Sequence, residues 1–98
     1  MTTIEEKYTA YAELLTAIET QQAQLSRLLA TREQVVREAR KSGANYQGLL
    51  QAGAPVTAQI NEVEQAIRQN RNNADDAYYA YEQAKWNATP EELAQWEA

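Results

Sequence analysis

The stretch KSGANYQGLLQAGAPV, Lys41 to Val56, decides the fold because it separates two long helical patterns and holds all three glycines of the chain. A residue that precedes proline is disfavoured in the helical conformation, so the firmest predicted break lies at Ala54. Pro55 then suits the first turn of a second helix. Gly43 is the other candidate, as the residue that ends the first helix.

Upstream of this stretch, apolar residues recur at alternating spacings of four and three, the pattern of a coiled coil. The seam runs through Ile4, Tyr8, Tyr11, Leu15, Ile18, Gln22, Leu25, Leu29, Arg32, Val36 and Ala39. It predicts helix 1 over about residues 3–41. Tyr46 and Leu50 continue the spacing past Gly43, so the helix could instead run to about residue 52; otherwise a short helix covers 45–52.

Downstream, a second seam has the same spacing and comprises Val56, Ile60, Val63, Ile67, Asn70, Ala74, Ala77, Tyr81 and Ala84. It predicts helix 2 over about 56–86, after a turn region at 42–55. Thr89-Pro90-Glu91-Glu92 fits a capping box and opens a short helix over about 90–97. We therefore expect one all-α domain over residues 1–98, a long antiparallel, coiled-coil-like hairpin with a short C-terminal helix.

The position of the turn sets which residues face each other. A turn between Lys41 and Val56 pairs Val36 with Ile60, Leu29 with Ile67 and Leu15 with Tyr81, and it brings Arg32 near Glu64. A later turn would bring Arg32 near Asp76 and Leu29 near Tyr79. Both pairings stay open at this point.

Helix 1 has a second apolar row beside its seam, consisting of Leu14, Leu28 and Val35. Each such side chain left in water forfeits about 1.5–3 kcal/mol, and one partner helix covers only a narrow stripe. We therefore expect the row to mediate self-association, with two hairpins forming a homodimeric four-helix bundle.

The segment DDAYYAYEQAKW, 75–86, holds four of the eight aromatic residues. Tyr81 and the flanking Tyr78 can pack with Tyr8 and Tyr11 at the open end of the hairpin. Tyr79 and Trp86 stand seven residues apart opposite the seam, and we call them the outer aromatic face. Leu93 and Trp96 could fold onto this face; otherwise it binds another chain, with Trp96 as a further partner-binding residue.

A second candidate surface is the turn tip, which we define as Tyr46, Leu49 and Leu50. These residues lie in an uncharged stretch flanked by Arg37, Arg40 and Lys41. The tip is expected either to pack on itself or to insert into a partner protein.

The composition lacks two of the residue types that most often carry out catalysis and metal binding. The chain has no histidine and no cysteine, so the commonest general base, nucleophilic thiolates and the usual bundle metal ligands are missing. We predict no enzyme activity, no metal and no cofactor. Residues 42–61 are uncharged but too polar to span a bilayer, so we expect a cytoplasmic chain with no membrane contact.

The net charge of −5 is unevenly placed. Residues 27–71 carry seven basic and four acidic side chains, whereas the two ends together carry ten acidic and two basic ones. Direct nucleic-acid binding is not expected from so few basic residues. The sequence predicts a protein-binding module (adaptor, assembly factor or inhibitor) whose partner is another protein. The alternative is a small acidic inhibitor that imitates nucleic acid and blocks a DNA- or RNA-binding protein.

The chain is also similar to the WXG100 class of secretion substrates in its length, acidity, lack of cysteine and predicted hairpin. Tyr46-Gln47-Gly48 stands where that class has Trp-x-Gly, and Tyr78 with Glu82 matches its Tyr-x-x-x-Asp/Glu export signal. The resemblance implies a further alternative, a secreted helical hairpin.

Overall fold

The computed structural model describes residues 3–98, and these form three helices and no strand. Helix α1 spans Thr3–Lys41, α2 spans Tyr46–Trp86 and α3 spans Pro90–Glu97. The all-α prediction is confirmed for this part of the chain. None of the three helices combines the length and the apolar character that a membrane crossing requires.

Helix α1 ends in a Schellman motif centred on Gly43. Gly43 has a positive φ of 86°, a conformation that costs glycine nothing because it has no Cβ. Its amide donates to the Arg40 carbonyl at 3.0 Å, and the Ala44 amide donates to the Ala39 carbonyl at 3.1 Å. These two bonds satisfy carbonyls that the helix end would leave without partners. The prediction that helix 1 ends near Lys41 is confirmed, and its extension to residue 52 is wrong.

Helix α2 begins ten residues before the predicted start near Val56. Asn45 caps it: the Asn45 Oδ1 atom accepts from the Gly48 amide at 2.9 Å, and the Asn45 carbonyl accepts from the Leu49 amide at 2.9 Å. Asparagine is among the strongest N-cap residues. The turn therefore occupies 42–45, not 42–55, and no separate helix covers 45–52.

Pro55 lies inside α2 and does not start it. A proline in a helix interior costs about 3 kcal/mol because it removes one backbone hydrogen bond. Pro55 and Gln51, whose carbonyl loses that bond, are both exposed, so water can satisfy the carbonyl. Gly53, on the opposite face, is buried. Packing of this face holds the helix together across the proline, which is why the predicted break at Ala54 is wrong.

The described residues divide into two compact units, and α1 and α2 contribute to both. Unit 1 comprises Met1–Glu19 and Arg68–Ala98, and unit 2 comprises Thr20–Ile67. In unit 1 the α1 segment runs antiparallel to the α2 segment, since the Tyr8 ring contacts Tyr81 and the Tyr11 ring contacts Tyr78. The buried apolar residues of unit 1 are Ile4, Ile18 and Ala74.

Unit 2 has its own antiparallel pairing. Arg32 Nη1 donates to the Thr57 hydroxyl at 3.4 Å, and Gly53 lies against Val36. Its core is formed by the predicted seam residues Ile60, Val63 and Ile67.

These contacts correct the predicted pairings. Val36 lies at Gly53 rather than at Ile60, Arg32 bonds Thr57 and not Glu64, and Tyr81 contacts Tyr8 in place of Leu15. The predicted turn is centred too late because Pro55 does not start α2, and the shorter turn moves every partner in α2 toward the N-terminus.

Candidate protein-interaction surfaces

Five aromatic rings in unit 1 pack against one another in a cluster, and the aromatic side chains outside this cluster are the candidates for binding a partner. Ring centroids lie 5.2–6.1 Å apart at tilted or edge-on angles, the geometry that aromatic quadrupoles prefer. The cluster consists of Tyr8, Tyr11, Tyr78, Tyr81 and Trp96. The predicted contact among the four tyrosines is therefore present.

Trp96 joins this cluster and not the outer aromatic face. The capping box predicted at Thr89 is present: the Thr89 hydroxyl accepts from the Glu92 amide, and Glu92 Oε1 accepts from the Thr89 amide. Helix α3 then folds back so that Trp96 Nε1 donates to the Tyr81 hydroxyl at 3.1 Å. Trp96 was predicted as a partner-binding residue; it is half-buried and serves to dock α3.

A short charged network borders the aromatic cluster. Lys85 Nζ lies 3.0 Å from Glu82 and 4.6 Å from the centre of the Tyr81 ring. Hydrogen bonding to Lys85 holds the pKa of Glu82 below its usual range, and the same bond raises the pKa of Lys85. Hydrogen bonding to the Glu82 carboxylate raises the pKa of the Tyr78 hydroxyl. The network fixes Glu82 and Lys85 on the surface of α2.

The outer aromatic face is open to solvent. Tyr79 is 74% exposed and Trp86 is 88% exposed, so α3 does not cover them as one of the two predictions had it. Both side chains stand on a helix whose opposite side is packed, and they are seven residues, or about two turns, apart. Helical spacing places Asp75, Asp76 and Glu82 around Tyr79 on the same side of α2. These three carboxylates were not among the predicted site residues.

The turn tip is only partly exposed. Tyr46 is 76% exposed and Leu50 is 53% exposed, whereas Leu49 is half-buried. All three residues lie in the first turns of α2, behind the Asn45 cap. The tip is thus the start of α2 with two apolar side chains facing water, and not the separate short helix over 45–52 or the end of helix 1 that the sequence allowed.

The second apolar row is half-buried at all three of its positions, Leu14, Leu28 and Val35. More exposed apolar side chains lie one residue further on, at Leu15 (44%) and Leu29 (42%). The heptad spacing places both residues on the predicted seam and hence in the predicted core. The signal that could have revealed them is the doublets Leu14-Leu15 and Leu28-Leu29, since a doublet is too wide for one partner helix to cover.

A groove runs along the α1 surface of unit 2. Leu29 and Val36 provide its apolar lining, and charged side chains provide the rest: Arg32, Glu33, Arg37 and Arg40. Arg37 pairs with Glu33 at 3.0 Å on the exposed surface, so three arginines and one glutamate leave the groove positive. This feature was not predicted from the sequence, where Arg37 and Arg40 were interpreted only as a flank of the turn tip.

The remaining motifs lie within the helices. Tyr46-Gln47-Gly48 forms the first turn of α2, Tyr78 belongs to the aromatic cluster, and Glu82 borders that cluster. Within residues 3–98 no group of three or more acidic side chains is arranged to hold a metal ion. The chain has no match among protein-family models, curated proteins or solved structures. The function is therefore inferred from the surfaces described above.

Proposed function

We propose that this chain is a non-enzymatic protein–protein interaction module, a self-associating helical hairpin that acts on another protein as an adaptor, assembly factor or inhibitor. The observation that carries the proposal is the outer aromatic face, where Tyr79 and Trp86 present large apolar surfaces to water. Tyrosine and tryptophan are the residue types most enriched at the centres of protein interfaces.

The helix that carries these side chains favours binding. Opposite them, Ala74 and Tyr81 pack against other residues of unit 1, so the backbone between the two aromatics is already ordered. Binding then requires ordering of little more than two side chains, at about 0.5–1.5 kcal/mol each. A preorganised aromatic pair is well suited to dock in an apolar depression of a partner.

Self-association has separate support from the apolar side chains on α1. Leu15 and Leu29 are each more than two-fifths exposed, and the row beside them is only half-buried. Light scattering over a range of concentrations measures the result directly. We expect the mass to rise above the 11.1 kDa of one chain toward twice that value. A mass that stays at one chain at every concentration would refute self-association.

Partner binding is tested by removing each candidate surface in turn. Tyr79→Ala/Trp86→Ala is expected to abolish binding of a partner isolated with the wild-type chain, with an unchanged melting temperature because both side chains are exposed. Tyr46→Ala/Leu50→Ala, at the turn tip, is the matched control and should leave this binding intact. If only the control pair weakens binding, the turn tip is the docking site and the outer aromatic face is not.

The acidic inhibitor is the second candidate, and the charge of unit 1 favours it. Unit 1 contains ten acidic and four basic side chains, and three of its carboxylates surround Tyr79. Imitation of nucleic acid predicts that target binding weakens steeply as salt concentration rises, since it depends on charge. Docking through the aromatic pair predicts a weak salt dependence, so one titration at two ionic strengths separates the two functions.

A further inference from the structure

The groove on unit 2 and the outer aromatic face on unit 1 have complementary chemistry. The groove combines the apolar side chains of Leu29 and Val36 with an excess of arginine. The face combines two exposed aromatic rings with three carboxylates, of which only that of Glu82 is paired with a lysine. Each surface thus combines exposed apolar side chains with a charge opposite to that of the other surface.

We infer that the groove of one copy binds the outer aromatic face of a second copy, and that two copies exchange this face–groove contact reciprocally. This inference rests on the self-association in the proposed function and assigns the two surfaces that make that contact. Tyr79 and Trp86 would bury their rings against Leu29 and Val36. Arginine can also stack on aromatic faces and bind carboxylates through two parallel hydrogen bonds.

Pairing of like surfaces is disfavoured by charge. Two outer aromatic faces would bring Asp75 and Asp76 of one copy against the same carboxylates of another. Two grooves would bring arginines together, and like charges placed opposite each other in an interface cost several kcal/mol. The contact therefore joins unlike surfaces, the groove of one copy and the outer aromatic face of the other, and two copies that exchange it reciprocally form a closed pair with twice the mass of one chain.

Two charge-reversed variants test this inference in the full chain. Asp75→Lys/Asp76→Lys makes the face basic, and Arg37→Glu/Arg40→Glu makes the groove acidic. All four positions are exposed, so both variants should remain helical by circular dichroism. Each variant alone carries two surfaces of like charge, and its mass by light scattering is expected to fall to the 11.1 kDa of one chain.

An equimolar mixture of the two variants is expected to restore the wild-type mass, because both face–groove contacts between them pair opposite charges. Trp96→Phe placed in both variants leaves Trp86 as the only tryptophan, and its emission should shift to shorter wavelength on mixing as the ring leaves water. The same Trp96→Phe change in the wild-type chain is the reference.

The outcomes are distinguishable. Recovery of mass together with the emission shift supports the inference. If the wild-type chain self-associates but the variants keep its mass, or the mixture fails to recover it, the face–groove contact is wrong while self-association through another surface stands. If the wild-type chain is a single chain at every concentration, both the inference and the self-association in the proposed function are refuted.

Discussion

The two tryptophans provide a matched pair for testing the packing of unit 1. We expect Trp96→Ala to lower the free energy of unfolding by about 2–3 kcal/mol, and Trp86→Ala to change it by less than about 0.5 kcal/mol. The changes are chemically identical, so the difference reports the surroundings of each ring. Trp96 contacts two rings and donates a hydrogen bond, whereas Trp86 is 88% exposed.

The magnitude follows from the contacts that Trp96 makes. Its ring lies 5.2 Å from Tyr8 and 6.0 Å from Tyr81, and such pairs contribute about 0.5–1.5 kcal/mol each. The bond to the Tyr81 hydroxyl adds about 0.5–1.5 kcal/mol. Because Trp96 is only half-buried, we take values at or slightly below the middle of each range and add nothing for burial. Helix α3 has eight residues, too few to stay helical after it undocks.

Thermal unfolding followed by far-ultraviolet circular dichroism measures the effect. A loss of 2–3 kcal/mol corresponds to a fall in melting temperature of roughly 8–24 °C for a domain of this size. Trp96→Ala should also lose helical signal before the main transition, as α3 unfolds. Equal melting temperatures for the two variants, or a larger fall for Trp86→Ala, would show that the aromatic cluster does not hold α3.

Three further predictions concern the helices. Gly53→Ala places a Cβ 3.3 Å from Cγ2 of Val36 and is expected to lower the free energy of unfolding by about 1 kcal/mol through overpacking. In a Val36→Ala background the same change should raise the free energy of unfolding by up to about 1 kcal/mol, because alanine has the higher helix propensity. A change of the same sign in both backgrounds would contradict the close approach of Gly53 to Val36. Asn45→Ala should cost about 1 kcal/mol in urea unfolding by removing the α2 cap, and no loss would argue against a helix start there. Because the pKa of Glu82 is lowered, its stabilising effect is present above its ordinary pKa of 4.5 and is lost as pH falls through the lower value; melting curves of wild type and Glu82→Gln should therefore converge in acid, and curves that stay parallel would refute the network.

Local signals allowed much of the fold to be predicted from the sequence. The end of α1 depends on Gly43, and the start of α3 depends on Thr89 and Glu92; in each case residues adjacent in sequence make the deciding bonds. The predicted start of α2 was wrong because the destabilising effect of Pro55 on a helix can be read from adjacent residues, whereas the packing that offsets it cannot. Gly53 is buried against Val36 of the other helix, a contact that no local pattern contains.

The candidate surfaces also differ in whether the sequence of one helix is enough to predict them. The exposure of Tyr79 and Trp86 could be predicted from their position opposite the seam, which is a property of α2 alone. The location of Trp96 depends on the direction in which α3 leaves the loop after Trp86, and the sequence left that direction open. The lining of the groove lies entirely on α1, so helical spacing alone places its three arginines beside Leu29 and Val36. The groove was missed because these two apolar residues were expected to be covered by α2.

The capped turn also has a kinetic consequence. Closing a loop of four residues has a small entropic cost, and both helix ends beside it satisfy their own backbone groups. Pairing of α1 with α2 in unit 2 can therefore begin close to the turn, with partners near in sequence. Tyr8 and Tyr81 lie near opposite ends of the chain, so their contact forms late in folding. On a ribosome the aromatic cluster therefore cannot form until Tyr81 and Trp96 have both emerged.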